Sequence, residues 1–254
     1  MCSVVILRRP GHSWPVIVGA NRDEMANRPW RPPGRHWTDR PQIFAGQDLL
    51  AEGSWLGLND DGVVAALLNR HGSLGPAEGR RSRGELTLEA LDHADATEAA
   101  RALTHLNPRA YRPFNLLICD DQASWLLCCR NDTLPIEAIP LAEGLSMITA
   151  FDLNDSTDTR IRIYRPRFAA ATPPDPDHDI WNEWTTQLAD RDGDLTAQQR
   201  APQHAMCFST SSGFGTSSSA LIALPSRAAH PPRRPFLRFA AGPPDQASWE
   251  ILMK

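Results

Sequence analysis

The first 24 residues constrain the fold most strongly, because they have the pattern of a β-hairpin with polar groups at its open end. An apolar run over residues 4–7 is followed by a short turn and by a second run that begins at Val16. The second run ends in Asn21-Arg22-Asp23-Glu24. Two antiparallel strands of this length bring the polar end of the second strand beside Cys2, at the beginning of the first.

Cys2 has the features of an N-terminal nucleophile if Met1 is removed, and we expect removal because cysteine is small. The free α-amine, with a pKa of about 7.7–8.0, can then act as the base for the thiol of the same residue. Arg22 would favour the thiolate, and Asp23 can hold the amine by a charge-assisted hydrogen bond. Alternatively, Cys2 is a small buried hydrophobic residue, and the polar run only holds the fold together.

Length and composition restrict the class of protein. The 254 residues, 41% of them hydrophobic, suit one large domain or two small ones, and we predict a single domain over residues 1–254. The net charge of −4 argues against a nucleic-acid partner. Five cysteines without Cys-x-x-Cys spacing argue against a disulfide scaffold and a metal site. We find no signal peptide and no apolar run of about 18 residues, and therefore expect a soluble cytoplasmic protein without a membrane span.

Strands are predicted at both ends of the chain, with helices between them. The strands after the hairpin are 43–45, 54–59, 63–69, 114–119, 124–129, 136–139, 145–149, 217–224, 236–240 and 249–253. The predicted helices are 84–93, 95–106, 164–171 and 179–189, the second opened by a capping box at Asp95. A hairpin is predicted where 206–209 and 217–224 flank Gly213-Phe214-Gly215-Thr216. This order predicts a β-rich α+β domain with two covered sheets and helices outside them.

Two segments are predicted to lack regular structure. Residues 28–41 contain four prolines together with Trp30 and Trp37, and proline is excluded from most ladder positions. The two tryptophans either cover a ligand or hold this loop against the protein. Residues 69–83 are rich in glycine and arginine and have the composition of a loop, as do residues 152–162.

Several ordered blocks resemble the NRDE family, the transport and Golgi organisation protein family, in a bacterial form. They are Met1-Cys2, Ala20-Asn21-Arg22-Asp23-Glu24, Arg28-Pro29, Gly53-Ser54-Trp55-Leu56-Gly57, Asn69-Arg70, Arg83-Gly84-Glu85-Leu86, Phe114-Asn115-Leu116 and Gly213-Phe214-Gly215-Thr216. The resemblance implies the N-terminal nucleophile hydrolase fold, a four-layer αββα sandwich. It also implies a link to haem trafficking or to lipid and acyl-CoA metabolism.

The chain also resembles, more distantly, the choloylglycine-hydrolase-type amidases. In those enzymes a cysteine at the second position is the nucleophile, which Cys2 matches. Asn21 and Asp23 fit the amidases' polar positions on the second strand. Asn69, at the end of a predicted strand, fits the asparagine that stabilises the oxyanion.

Other positions depart from the amidase pattern. Ala20 stands where the amidases have an arginine, although Arg22 follows two residues later and shares that face of the strand. Ala150 stands near the place of a second asparagine, for which Asn154 is a weak substitute. Ser217 replaces an arginine after the Gly-Phe-Gly-Thr turn. Loss of one oxyanion donor costs roughly 10²–10³ in rate in a known case, so these departures count against an efficient amidase.

Three functions follow from these residues, and the sequence leaves open whether the chain is an enzyme. We slightly favour the handling of a small ligand, either haem as a transported group or an acyl chain or acyl-CoA. The second is a hydrolase of amides or thioesters that uses Cys2, Arg22, Asp23 and Asn69. The third is a structural or interaction protein without catalysis. Candidate ligand-binding residues are Asn21, Trp30, Trp37, Arg70 and His71, and candidate haem ligands are His12, His36 and His71.

Overall fold

The structure, a computed structural model, describes residues 2–193 and 201–254. Met1, whose removal the sequence predicts, and part of the polar connection before Met206 lie outside these ranges. The chain divides into two compact units. Unit 1 comprises Met1–Asn27 and Glu143–Lys254, and unit 2 comprises Arg28–Ala142. The single domain over residues 1–254 stays a prediction.

The strands and helices are numbered in chain order. The strands are β1 (Ser3–Arg8), β2 (Val16–Met25), β3 (Trp30–Gly34), β4 (Ile43–Asp48), β5 (Leu56–Asn59), β6 (Val64–Asn69), β7 (Phe114–Cys119), β8 (Ser124–Cys129), β9 (Glu137–Pro140), β10 (Gly144–Ile148), β11 (Phe214–Leu224), β12 (Phe236–Ala240) and β13 (Trp249–Met253). The helices are α1 (Gly84–Leu91), α2 (Ala96–Thr104), α3 (Thr159–Ala170) and α4 (Asn182–Ala189).

Unit 1 contains a six-stranded antiparallel sheet in the order β10-β1-β2-β11-β12-β13. The predicted N-terminal hairpin is confirmed, with Ser3 opposite Asn21. β2 lies between β1 and β11, and its residues from Val16 to Asp23 are buried. Helices α3 and α4, with Trp181 just before α4, contribute to an apolar cluster with side chains of β1, β2 and β11; the helical members are Tyr164, Phe168, Trp184 and Leu188. The hairpin that carries Cys2 therefore belongs to a packed sheet.

Unit 2 contains a seven-stranded antiparallel sheet whose strands follow chain order from β3 to β9. Helices α1 and α2 lie between β6 and β7 in the sequence and pack into the apolar cluster of this sheet. The predicted cap of α2 is confirmed, since the Asp95 side chain accepts a hydrogen bond from the Glu98 N–H at 2.8 Å. The predicted strands of this unit are confirmed within a few residues of their ends.

Two predictions of irregular structure or turns were wrong in part. The proline-rich segment is not all loop, because Trp30–Gly34 forms β3. β3 is an edge strand with one neighbour and an irregular register, a position that tolerates Pro32 and Pro33. The hairpin predicted around the Gly-Phe-Gly-Thr turn is reduced to an isolated bridge between Ser209 and Gly215, and one long strand, β11, begins at Phe214.

Two predicted helices were wrong at their starts. α3 begins at Thr159 rather than at residue 164, because the Asp158 side chain caps it by accepting the Arg160 N–H at 3.0 Å. α4 begins at Asn182 rather than at residue 179, because Asp175 and Ile180 form a bridge just before it. None of the helices in residues 2–193 and 201–254 is both long enough and apolar enough to cross a bilayer.

Candidate active site

The Cys2 thiol lies against the backbone of Asp23. The Asp23 N–H donates to Sγ across 3.4 Å, and Sγ lies 3.6 Å from the Asp23 carbonyl oxygen, to which the S–H can donate. This contact follows from the register of the hairpin, in which Ser3 opposes Asn21. Cys2 is half-buried, whereas the other four cysteines are buried. The hairpin thus places the least buried cysteine of the described residues beside a carboxylate-bearing residue.

The Asp23 carboxylate is held from two directions. Arg160 Nη1 lies 3.0 Å from Oδ2, and the Thr216 hydroxyl donates to Oδ1 across 2.9 Å. The side chains of Arg160 and Asp23 are 2% and 0% exposed. A buried charge requires a partner and additional hydrogen bonds, and both are present here.

Arg160 is the residue of this site that the sequence analysis missed. It lies in the first turn of α3 and donates to the Ser3 hydroxyl at 2.7 Å and to the Gln203 carbonyl at 2.7 Å. Its guanidinium carbon is 5.4 Å from the centre of the Phe208 ring. The segment before α3 is polar and has no helical periodicity, so only the capping aspartate before Thr159 could have indicated a helix there.

Burial, followed by the negative charge of Asp23, raises the pKa of the Cys2 thiol. Arg22 acts in the expected direction and lowers this pKa, but its effect is outweighed. The thiol is therefore protonated at neutral pH, rather than being the ready-made thiolate that Arg22 alone would favour. A nucleophile in this state needs a base.

Arg22 is 5% exposed and lies beside Ser217, one of the positions that depart from the amidase pattern. Arg22 Nη1 donates to Ser217 Oγ across 3.3 Å, and the Ser217 hydroxyl lies 3.2 Å from the Arg22 carbonyl oxygen. A register shift between Thr216 and Ser218 accompanies this contact. Arg22 thus reaches the segment in which the amidases carry their arginine.

Asn154 does not compensate for Ala150, the position near the place of the amidases' second asparagine. Ala150 is buried and carries no donor on its side chain. The Asn154 side chain accepts the Met147 N–H at 2.8 Å and lies 3.4 Å from Ser146 Oγ, so these contacts fix the turn after β10.

Asn21 connects segments of unit 1. Its amide nitrogen donates to the carbonyls of Leu188 and Met206 at 2.9 and 3.0 Å, and its oxygen accepts from the Ser219 hydroxyl at 2.7 Å. The residue is 1% exposed. These bonds explain the position of Asn21 without a ligand.

The remaining predicted site residues belong to unit 2. Asn69 ends β6, His71 is exposed, and Arg70 Nη1 donates to the Asn115 side chain at 2.7 Å. Trp30 lies edge-on to Trp55 with 5.7 Å between ring centroids, and Trp37 donates to the Glu52 carbonyl at 3.0 Å. The structure brings together Cys2, Arg22 and Asp23 in unit 1. The roles of the unit 2 residues stay predictions; these residues are Asn69, Trp30, Trp37, Arg70 and His71.

No group of three or more histidine, cysteine, aspartate or glutamate side chains in the described part of the chain is arranged to hold a metal ion. Two candidate haem ligands make local contacts. His12 Nδ1 accepts the Trp14 N–H at 2.9 Å, and His36 Nε2 lies 2.8 Å from the Pro32 carbonyl oxygen.

The fold belongs to the N-terminal nucleophile hydrolase class, as solved structures that align with the whole chain demonstrate. A Caenorhabditis elegans N-acylethanolamine-hydrolyzing acid amidase ortholog aligns over 100% of both chains with a TM-score of 0.57 and 14% identity. Penicillin V acylase from Agrobacterium tumefaciens gives a TM-score of 0.52 and 12% identity, with 100% of this chain and 87% of that chain covered. Conjugated bile acid hydrolase from Clostridium perfringens gives 0.51 and 9%, with 100% and 97% covered. The predicted α+β fold class is confirmed.

The chain belongs to the Transport and Golgi organisation 2 family, whose sequence profile matches residues 1–227. The Transport and Golgi organization protein 2 homolog of Bos taurus is 32% identical over 149 residues, which are 53% of this chain and 51% of that protein. The Mus musculus homolog is 31% identical over 150 residues, with the same shares covered. These matches span about half the length of the curated relatives. The predicted family resemblance is confirmed.

Proposed function

We propose that this chain handles an acyl-bearing small molecule and hydrolyses its amide or thioester bond with Cys2 as the nucleophile. The observation that carries the proposal is the contact between the Cys2 thiol and Asp23, whose carboxylate is fixed by Arg160 and Thr216. The fold supports it, because the structural neighbours named above are described as an amidase, an acylase and a hydrolase.

The reaction begins with the α-amine of Cys2, which becomes free when Met1 is removed. The amine accepts the S–H proton, and Sγ forms a bond to the acyl carbon. The tetrahedral adduct then breaks its C–N or C–S bond, and the leaving amine or thiol receives that proton. Water next attacks the acyl–sulfur bond, releases the carboxylic acid and returns a proton to the thiol.

The electrostatics of the site are consistent with this order of proton transfers. The raised pKa of Cys2 keeps the thiol protonated at rest. An α-amine with a pKa of about 7.7–8.0 is partly unprotonated at neutral pH and can take the proton during attack. Asp23 would orient this amine, because the backbone of Asp23 contacts the thiol of Cys2, the residue that carries the amine.

The proposal is tested with four acyl substrates: N-palmitoylethanolamine, penicillin V, glycocholate and palmitoyl-CoA. Products are quantified by mass spectrometry for protein that lacks Met1. Wild-type protein should release acid from at least one substrate, and Cys2→Ala should abolish that release. Cys119→Ala, which removes a buried thiol from unit 2, should retain it. Turnover that survives Cys2→Ala, or its absence with all four substrates, would contradict the proposal.

Haem handling is the second candidate, and the observation that favours it is an exposed histidine, His71, directly after Arg70. His71 is the candidate axial ligand, and the adjacent guanidinium could pair with a haem propionate. A haem titration monitored at the Soret band tests it, with His105→Ala as the control. A band shift that is lost in His71→Ala would support haem binding; no shift at micromolar protein would reject it.

A further inference from the structure

We propose that Arg160 is the positioning residue of the Cys2 site: it holds the Asp23 carboxylate and Ser3 in place beside the strand end that Cys2 contacts. This role rests on the proposed hydrolytic function of Cys2. Arg160 contacts neither the thiol nor a substrate in this account. It acts through Asp23.

The contacts of Arg160 converge on the immediate neighbours of Cys2. One of its nitrogens, Nη1, bonds both to Ser3, the next residue in the chain, and to Asp23, whose N–H and carbonyl contact Sγ. The other, Nη2, bonds to the carbonyl of Gln203. The guanidinium therefore fixes the two residues that determine where the thiol lies.

Arg160 is itself anchored by the beginning of α3. The Asp158 carboxylate accepts the Arg160 N–H at 3.0 Å, and its other oxygen accepts from the Thr149 hydroxyl at 2.5 Å. Thr149 directly follows β10, the strand that pairs with β1. A hydrogen-bonded chain of buried groups thus connects the start of α3 to Asp23 and to the hairpin.

Stability alone is a weak reason for this ion pair. Replacing a buried pair by well-packed apolar residues is often neutral or stabilising, so a pair that is 2% and 0% exposed suggests a role beyond folding. The adjacent Cys2 thiol indicates such a role, because the charge of Asp23 is among the causes that raise the pKa of that thiol. A buried carboxylate that loses its cation takes up a proton more readily, and its effect on the thiol then disappears.

The test is the rate of Cys2 alkylation by iodoacetamide, followed by peptide mass spectrometry from about pH 7 to 11, a range that extends well above the ordinary thiol pKa of about 8.5 because the pKa of Cys2 is raised. Asp23→Asn should move the midpoint of this profile down by about 0.5 pH unit, equivalent to a roughly threefold faster reaction below the midpoint. Arg160→Gln should produce the same downward shift. Arg160→Lys, which retains the cation, should stay near the wild-type midpoint.

The matched control is Arg167→Gln. Arg167 lies on α3, like Arg160, and forms an ion pair with Asp190, so its loss should leave the alkylation profile of Cys2 unchanged. An unchanged midpoint in Arg160→Gln would reduce Arg160 to a structural role, and an upward shift would show that its charge acts directly on the thiol. Either result overturns the proposal.

If circular dichroism shows that Arg160→Gln does not fold, the double variant Asp23→Asn/Arg160→Gln replaces it, because it removes both charges of the buried pair. If Arg160 acts through Asp23, the midpoint of the double variant should equal that of Asp23→Asn alone, and a midpoint that differs from that of Asp23→Asn would overturn the proposal. Alkylation requires no turnover, so these outcomes are independent of the substrate assay: the positioning role can fail while Cys2-dependent hydrolysis stands, and the reverse.

Discussion

Among the described residues of unit 1, a thiol, an aspartate and an arginine come together at Cys2 and again at Cys207, with different contacts to the thiol. In the first, Cys2 accompanies Asp23 and Arg160. In the second, Cys207 Sγ lies 3.0 Å from Asp245 Oδ1, and Arg191 Nε lies 2.6 Å from Oδ2 of the same carboxylate. The residue types are identical, but the geometry of the carboxylate differs.

At Cys207 the carboxylate accepts the thiol proton directly. Burial and this hydrogen bond raise the pKa of Cys207 to about 12, and the thiol is 0% exposed. At Cys2 the thiol meets only the backbone of Asp23, while the carboxylate is directed to Arg160 and Thr216. The two cysteines therefore differ in their contact with the neighbouring aspartate: the carboxylate binds the thiol of Cys207, whereas only the backbone of Asp23 contacts the thiol of Cys2.

The largest expected difference is in alkylation rate. At neutral pH, Cys2 should react with iodoacetamide faster than Cys207, because Cys207 is buried, is hydrogen-bonded to Asp245 and has a pKa of about 12, whereas Cys2 is half-buried. Timed quenching followed by peptide mass spectrometry measures both sites in one sample. Comparable rates at the two thiols would remove the distinction between the sites.

The two carboxylates should also differ in what they contribute to stability. Asp23→Asn should cost about 3–5 kcal/mol, because it breaks a buried ion pair by removing one of its two charges. Asp245→Asn should cost about 1 kcal/mol, because Arg191 and Asp245 are 36% and 21% exposed. Urea unfolding of both variants provides the comparison. A larger loss for Asp245→Asn would show that the more exposed pair contributes more.

The second site should give unit 1 an acid-sensitive contribution to stability. Arg191, the largest cause, holds the pKa of Asp245 at about 2, below its usual 3.8. A lowered carboxyl pKa stabilises the folded state above the unfolded pKa, and this contribution is lost as pH falls from about 4 to about 2. Arg191→Gln should lessen that loss by about 1 kcal/mol or less, given the partial exposure of the pair. Thermal melts between these pH values measure it, and an unchanged acid dependence would contradict it.

The smallest expected effect concerns Arg22. Because Arg22 lowers the pKa of Cys2, Arg22→Gln should move the Cys2 alkylation midpoint up by less than about 0.5 pH unit. This direction is opposite to that expected for Asp23→Asn. Arg31→Gln, an exposed arginine of β3, serves as the control. A downward shift in Arg22→Gln would mean that Arg22 acts mainly by holding the backbone near Ser217.

The sequence predicted the hairpin and the fold class because their signals are local. Alternating and continuous apolar runs with clear turns mark strands such as β1, β2, β6 and β7. The edge strand β3 was missed because its prolines suggest a loop. An edge strand pairs on one side only, so it tolerates residues that lack a backbone N–H.

The site was predicted only where its residues are close along the hairpin. Cys2 and Asp23 follow from the register of two adjacent strands. Arg160 is 137 residues away from Asp23, and an arginine in a polar segment is usually exposed, so only the tertiary fold reveals its burial. The sequence did not indicate the contact between Cys207 and Asp245 for the same reason, because Asp245 is 38 residues further along the chain.

The most direct test of the account is the intact mass of protein carrying a C-terminal tag, before and after brief iodoacetamide treatment, with the modified peptide identified. The account predicts a mass that lacks Met1 and a single carbamidomethyl group on Cys2. Retention of Met1 would leave Cys2 without a free α-amine and contradict the self-activated nucleophile. Faster modification of any of the four buried cysteines would contradict the assignment of Cys2 as the reactive thiol.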